Sequence, residues 1–282
     1  MPNVVRAAWV RELHPNARVI IGDDGPRNNA PGPEHWAYVA QLLAAQSLAP
    51  DVVLSSEAYG VPFAEHLGAA HVDVDGGRAL ISISGTDIRR DVHAHRQHLD
   101  ARVYRHFVER VVFLGAESTG KSALTQRMAE EFGTEFVAEY GRLHYEERGG
   151  ELDLDDYVTI ATRHRELEDD AALRANRYLF VDTNAITTMF FSYYYNRESL
   201  PARRAMADEC RDRYQCVIVC DDDIPFEQDG WRDNKTWRGR MQGMVLHDLA
   251  VRGIEYHVVS GSLDKRVAQV MAALAGTAAH RH

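Results

Sequence analysis

Residues 111 to 122, VVFLGAESTGKS, constrain the fold of this chain more than any other stretch. An apolar run ends at Gly115, and Gly115-Ala-Glu-Ser-Thr-Gly120-Lys121-Ser122 matches G-x-x-x-x-G-K-S in full. A helical pattern follows, with Ala123, Leu124, Met128 and Phe132 close to one face. Strand, glycine loop and helix in that order make a phosphate cradle, because backbone N–H groups of the loop and of the helix start point at the anion. Gly115, Glu117, Ser118, Thr119 and Gly120 are the expected phosphate wall, and Lys121 is placed to reach the β- and γ-phosphates. The Ser122 hydroxyl is the expected Mg²⁺ ligand, so ATP and Mg²⁺ are the expected cofactors.

Around this loop, residues 109 to 275 alternate apolar runs (RVVFLG, EFVAEY, RYLFVDT, QCVIVCD, EYHVVSG) with longer stretches of mostly helical pattern. The alternation predicts an α/β fold, a parallel sheet covered by helices on both faces. Ligands of open α/β sheets bind at the carboxyl ends of strands. That places Glu139 and Asp182, each just after an apolar run, near the phosphate loop. Asp182 suits Mg²⁺ support and Glu139 suits orienting or deprotonating an acceptor hydroxyl. Each could equally cap the turn that follows its strand. Tyr140 could stack on an aromatic substrate or simply pack, and Arg142 follows it on the acceptor side. A polar segment at 229–240 carries Arg232, Lys235, Arg238 and Arg240. It reads as a cover that brings arginine to the transferring phosphoryl group, or as a solvated basic loop. The single Asn-Lys pair, Asn234-Lys235, is followed by Thr-Trp, so the N-K-x-D guanine signature of GTPases is missing.

Composition narrows the function classes. A net charge of -10 argues against nucleic acid as the main partner. No apolar run reaches membrane length, and the first residues show no signal-peptide pattern. Cys210, Cys216 and Cys220 are odd in number and lack C-x-x-C spacing, which reads as reduced thiols. A cytoplasmic protein without membrane or nucleic-acid partners is expected, and a homo-oligomer is left open. Only three lysines occur, against 29 arginines, so the lysine inside GKS stands out as a compact point charge.

The residues ahead of the loop are not linker. ARVIIGDD, DVVLSSE and AHVDVD read as short strands, and EHWAYVAQLLAA as an amphipathic helix with Trp36, Val39, Leu42 and Leu43 roughly on one face. In Ser84-Gly-Thr86-Asp-Ile-Arg89, small hydroxyl residues precede a helix start and an arginine lies one turn on. Ser84, Thr86 and Arg89 could bind ATP phosphates there, and the same pattern makes an ordinary helix cap. His93, His95 and His98 lack carboxylates or cysteines at ligand spacing.

GAESTGKS, the AEYGR after the second strand, the VDTNAITT after the third and the DGWR segment resemble the ribosylnicotinamide kinase domain of the NadR family. The resemblance implies that residues 109 to 275 phosphorylate nicotinamide riboside to NMN with ATP and Mg²⁺. It also implies that Tyr140 or a neighbouring aromatic stacks on the nicotinamide ring. Ser55-Ser-Glu57, YGVPFAEHLGAAHV and SGTDIR resemble the adenylyltransferase domain of the same family, which joins NMN to ATP. This chain departs from that domain in lacking its first strand and its H-x-G-H segment. A misassigned start, a truncated domain and a segment supplied by another chain all explain the departure.

The expectation is two domains. Residues 1–105 form a partial nucleotidyltransferase that is inactive as given, and residues 106–282 form a P-loop kinase. Nicotinamide riboside, NMN and ATP are the expected ligands. Lys121, Glu139, Asp182 and Arg232 are the expected catalytic set. A fully bifunctional enzyme and a non-catalytic ATP/NAD sensor are the alternatives.

Overall fold

The strand that feeds the phosphate loop lies at the centre of a five-stranded sheet. The computed structural model describes residues 1–22, 25–26, 32–225 and 235–279. The chain divides into two compact units, Met1–His98 and Leu99–His282. The division falls a little before residue 105.

In the first unit, α1 (Asn3–Leu13) and α2 (Gly32–Ala45) precede a parallel pair of strands, β1 (Val52–Ser55) and β2 (Ala70–Asp73), joined through α3 (Gly60–Leu67). Trp36, Val39, Leu42 and Leu43 are all half-buried, and the Trp36 ring packs against Phe63 at 6.4 Å. The expected strand at ARVIIGDD does not form over residues 17–22, and Asp23 and Asp24 lie outside the described residues. Its apolar run finds no neighbouring strand to pair with among the described residues. The short α4 (Gly85–Arg90) completes the unit, followed by a single 3₁₀ turn at Arg96–His98.

The second unit opens with α5 (Ala101–Tyr104) and β3 (Glu109–Leu114). The elements α6 (Lys121–Phe132), β4 (Phe136–Val137), α7 (Tyr140–Glu147), α8 (Leu154–Ala172) and β5 (Tyr178–Asp182) follow. Next come α9 (Ala185–Asn196), α10 (Pro201–Arg213), β6 (Cys216–Cys220), α11 (Lys235–Arg252), β7 (His257–Val259) and α12 (Leu263–Ala279). All sheet pairings are parallel, in the order β4-β5-β3-β6-β7. Val111 through Leu114 have no exposed surface, as expected of a central strand covered on both sides. Alternate residues Val111, Phe113, Phe180 and Ile218 pack with Leu124 and Met128 of α6 and Val270 and Leu274 of α12. Helix α8 packs against β4 and β5, with α9 and α10 against α8. Chain order and spatial order diverge on either side of β3, which puts a ligand crevice at its carboxyl end.

Candidate active site

Two glycines shape the loop that leaves β3. Gly115 has φ +138°, and a Cβ there would sit 2.6 Å from the Cys220 carbonyl oxygen. Only glycine lets the loop start so close to β6. Gly120 has φ +79° and stands at the N-cap of α6 with no side-chain cap bond. The first turn of α6 therefore keeps its N–H groups for an anion, and the helix dipole favours negative charge there. The Lys121 Nζ donates to the Ala116 carbonyl at 2.7 Å, and the Thr119 hydroxyl donates to the same oxygen at 2.8 Å.

This loop lines a cavity of about 720 Å³. Gly115, Glu117, Ser118, Thr119, Gly120, Lys121 and Ser122 all line it, as do Glu139, Tyr140 and Arg142. The volume is that of a small-molecule site. Four aromatic side chains, Tyr145, Tyr157, Phe191 and Tyr195, line the same cavity.

Glu139 is the N-cap residue of α7, yet its side chain makes no cap bond. Its carboxyl faces the cavity instead. It is recessed there without being fully hidden, since part of its surface stays exposed. Burial first, then the neighbouring Asp182 carboxylate, raise its pKa above the ordinary carboxylate range, against the pull of Lys121 and Arg142. Asp182 does not cap either, because the Asn184 side chain accepts from the Ile186 N–H and closes the start of α9. Register pairs Asp182 with Phe113, so it ends β5 beside the end of the loop strand. Asp182 is 2% exposed and does not itself line the cavity, whereas the adjoining Thr183 does.

The Asp182 Oδ1 is buried with no hydrogen-bond partner. A carboxylate oxygen left that way is costly unless a cation satisfies it. Together with the Ser122 hydroxyl it makes a hard oxygen donor set, which fits Mg²⁺ better than a softer metal. No three His, Cys, Asp or Glu side chains gather into a metal cage among the described residues. Sparse protein ligation is the usual mode for Mg²⁺ bound with nucleotide phosphates.

Of the basic segment at 229–240, only residues 235–240 are among the described residues. Arg232 lies outside the described residues. Arg238 is 4% exposed and donates to the Ile224 carbonyl at 2.9 Å and the Ser118 carbonyl at 3.3 Å. It braces the phosphate loop from behind and does not line the cavity. Arg240 is exposed and does not line it either. Trp237 stacks on Tyr194 at 3.6 Å between centroids, which ties α11 to α9.

Two further supports of the loop went unread in the sequence. Gln242 of α11 accepts from the Ala116 N–H at 2.8 Å and donates to the Cys220 carbonyl at 3.0 Å, locking the loop to the end of β6. Arg266 of α12 is 2% exposed, donates to the carbonyls of Thr119, Gly261 and Asp221, and pairs with Asp223. No local motif marks either residue, since each reaches the loop from more than a hundred positions away.

In the first unit, Ser84 and Asp87 form a capping box at α4. The Ser84 hydroxyl accepts from the Asp87 N–H at 3.1 Å and donates to the Asp87 carboxylate at 2.6 Å. Arg89 donates to the Thr86 hydroxyl at 3.1 Å. A cavity of about 510 Å³ lies nearby, but Ser82, Ile83, Asp87 and Arg90 line it with Asp91, His95, Gln97 and His98. Ser84, Thr86 and Arg89 do not.

Residues 110–266 match the family model described as an AAA domain. The chain belongs to this family. It is also 32% identical over 250 residues to the trifunctional NAD biosynthesis/regulator protein NadR of Escherichia coli K12, covering 86% of this chain and 60% of that protein. The NadR of Salmonella typhimurium LT2 is 32% identical over 261 residues, covering 89% and 63%. The chain thus spans less than two thirds of the length of these relatives. A crystal structure of a NadR protein in complex with NR superposes with a TM-score of 0.68 at 22% identity, covering 97% of this chain and 82% of that one. A NadR structure in complex with NAD and AMP-PNP gives 0.67 at 21% identity, covering 95% and 81%. The α/β architecture with its parallel sheet is therefore the NadR fold.

Proposed function

We propose that the second unit is an ATP-dependent ribosylnicotinamide kinase, making NMN from nicotinamide riboside for NAD biosynthesis. The observation that carries this reading is one cavity lined on the one hand by a complete phosphate loop with a carboxyl of raised pKa and on the other by four aromatic side chains. A phosphoryl donor and a flat-ringed nucleoside acceptor fit that division. The NadR relatives, with one NadR structure solved with NR and another with NAD and AMP-PNP, support nicotinamide riboside as the acceptor in this reading.

In this reading the acceptor's 5′-hydroxyl oxygen attacks the γ-phosphorus while the bond from that phosphorus to the β–γ bridging oxygen breaks. Glu139 orients the hydroxyl and takes its proton. Lys121 and the N–H groups at the start of α6 hold charge on the phosphates. Ser122 and Asp182 are the residues that would hold Mg²⁺, which supplies charge neutralisation of the phosphates when bound. Tyr140 with Tyr145, Tyr157, Phe191 and Tyr195 offers faces for the nicotinamide ring.

The first unit contributes no adenylyl transfer in this reading. Its candidate phosphate-binding serine is already engaged in a capping box. The test is one reaction: purified protein, Mg²⁺-ATP and nicotinamide riboside, with products separated and identified. NMN with ADP is expected. NAD would show a competent first unit and a bifunctional enzyme. ATP binding without acceptor-dependent turnover would make the protein a sensor and overturn the kinase assignment.

A further inference from the structure

Three buried side chains that line the cavity, and the adjoining Asp182, carry polar atoms without hydrogen-bond partners of normal geometry. They are both ring nitrogens of His164, the Asp182 Oδ1, the Thr183 Oγ1 and the Thr187 Oγ1. The residues are 4%, 2%, 4% and 2% exposed, and His164, Thr183 and Thr187 line the cavity. Among the described residues, no other residue that lines the cavity carries such an atom. Natural proteins rarely leave even one such group unpaired, so a cluster at a cavity wall marks a place where a polar ligand supplies the partners.

The chemistry of the three lining residues is specific. Burial lowers the His164 pKa, which keeps the ring neutral, with one N–H donor and one acceptor nitrogen. The Thr183 backbone makes a hydrogen bond with the ring outside the strict geometric limits, which leaves the other ring nitrogen open to a ligand. The ring's one charged neighbour at contact range, Glu168, is 3.9 Å away and already accepts from the Tyr214 hydroxyl and the Arg213 guanidinium. Each threonine hydroxyl both donates and accepts. A wall of neutral groups that do both is matched to hydroxyls, which also do both. A phosphate would call for cations, and a cationic ring for carboxylates.

We propose that His164, Thr183 and Thr187 bind the 2′- and 3′-hydroxyls of the acceptor's ribose, so that the site selects ribonucleosides over deoxyribonucleosides. This rests on the kinase reading above and sharpens it. The Thr183 backbone, at φ +68°, sits in a conformation that non-glycine residues seldom adopt, and it holds its side chain at the junction of β5 and α9.

The experiment is steady-state kinetics on the full chain with Mg²⁺-ATP, comparing nicotinamide riboside and a panel of purine and pyrimidine ribonucleosides with their 2′-deoxy counterparts. The wild-type protein should prefer the ribo form by roughly tenfold or more in kcat/KM, the effect of leaving buried polar groups unpaired. His164→Phe should raise the acceptor KM by a similar factor, leave the ATP KM within about twofold and erase the ribo preference. His164→Gln, which keeps a donor and an acceptor, should recover much of it. Thr187→Val, nearly isosteric, carries the same test if the Phe variant does not fold. A ribo preference that survives in His164→Phe and Thr187→Val overturns the proposal and leaves the kinase reading standing, as does a parallel rise in both KM values. A wild type that accepts a different ribonucleoside, with the same loss in the variants, overturns nicotinamide riboside but supports the hydroxyl site. A wild type that neither phosphorylates nor binds any nucleoside in calorimetry overturns both.

Discussion

Two helix starts in this molecule looked alike in sequence as phosphate sites, and their structures differ in one respect that decides their chemistry. Helix α6 begins at Gly120, which has no side chain to spend on its own N–H groups. Helix α4 begins at Ser84, whose hydroxyl already accepts from the Asp87 N–H while Asp87 reaches back to the Ser84 N–H. The first start is left open for an anion and the second is closed by its own residues. Their surroundings differ as well. The α6 start is held by Gln242, Arg238 and Arg266 from distant elements and rests on a core with no exposed surface. Around the α4 start, the described residues of the first unit bury only Ala7 and Ala64 among their apolar side chains. A phosphate site needs preorganised donors, and preorganisation needs a packed frame around them.

The largest effect that could break this contrast is on turnover. Lys121→Ala should lower kcat by at least about a hundredfold, by analogy with the loss of single charge-stabilising donors, while melting stays cooperative. Unchanged turnover would mean that the α6 start is not the donor site. Arg89→Ala at α4 should leave the same reaction within about twofold, since that residue is bound to Thr86 and lines neither of the two cavities described above.

Glu139→Gln sharpens the comparison through pH. Turnover should fall by roughly 10²–10⁴-fold, the range for a lost general base. In the parent, kcat/KM should rise with pH through an apparent pKa above the ordinary carboxylate range, because Glu139 is held protonated by burial and by Asp182. The variant should lack that limb. Stability should move the other way. The folded state holds the Glu139 proton to higher pH than the unfolded chain, so the parent loses stability as pH rises through that raised pKa. The variant should therefore melt higher than the parent at neutral pH and equal it below about pH 4, where both states of the parent are protonated. A thermal melt series across pH checks the sign, and a variant less stable at neutral pH would contradict it.

The frames themselves can be compared by truncation. Leu124→Ala removes a side chain with no exposed surface from the core under the loop and should cost about 2–5 kcal/mol. Leu54→Ala removes one that is 67% exposed on the strand pair of the first unit and should cost about 0.5 kcal/mol or less. Urea unfolding of both variants measures the difference, and equal costs would mean that the first unit is packed more tightly than its exposure implies.

Much of the second unit was legible because its signals are local. The loop, the apolar runs that became β3, β5 and β6, and the carboxylates at strand ends all declare themselves within a few residues. The strand order was not legible, since nothing in the run VVFLG says that β5 and β6 will flank it. The braces Gln242 and Arg266 are equally silent in the sequence, as is His164, whose role depends on what packs over it. Arg238 was read as a cover residue because basic loops near a phosphate site suggest one, yet it is buried against the Ser118 carbonyl. The run ARVII shows the opposite failure. It has the composition of a strand, but a strand needs a neighbour to satisfy its backbone, and none pairs with residues 17–22 among the described residues. EFVAEY lies between the two, because only Phe136 and Val137 pair before the chain turns at Glu139 into α7.

The smallest effect concerns the closed helix start. Ser84→Ala removes the side chain that caps α4 and should cost about 1 kcal/mol of local stability, read as faster amide exchange over 85–90. The same hydroxyl is the main reason the Asp87 pKa lies below its ordinary value. A depressed carboxyl pKa adds stability that is present above the unfolded pKa and fades as pH falls through the folded one. The variant should therefore differ from the parent at neutral pH and converge with it in acid. If opening the cap instead let α4 bind nucleotide, a shift of Gly85–Asp87 amide resonances on adding Mg²⁺-ATP would report it. That result would mean that one serine separates the two helix starts; no shift would mean that the thinly packed frame matters as much as the cap.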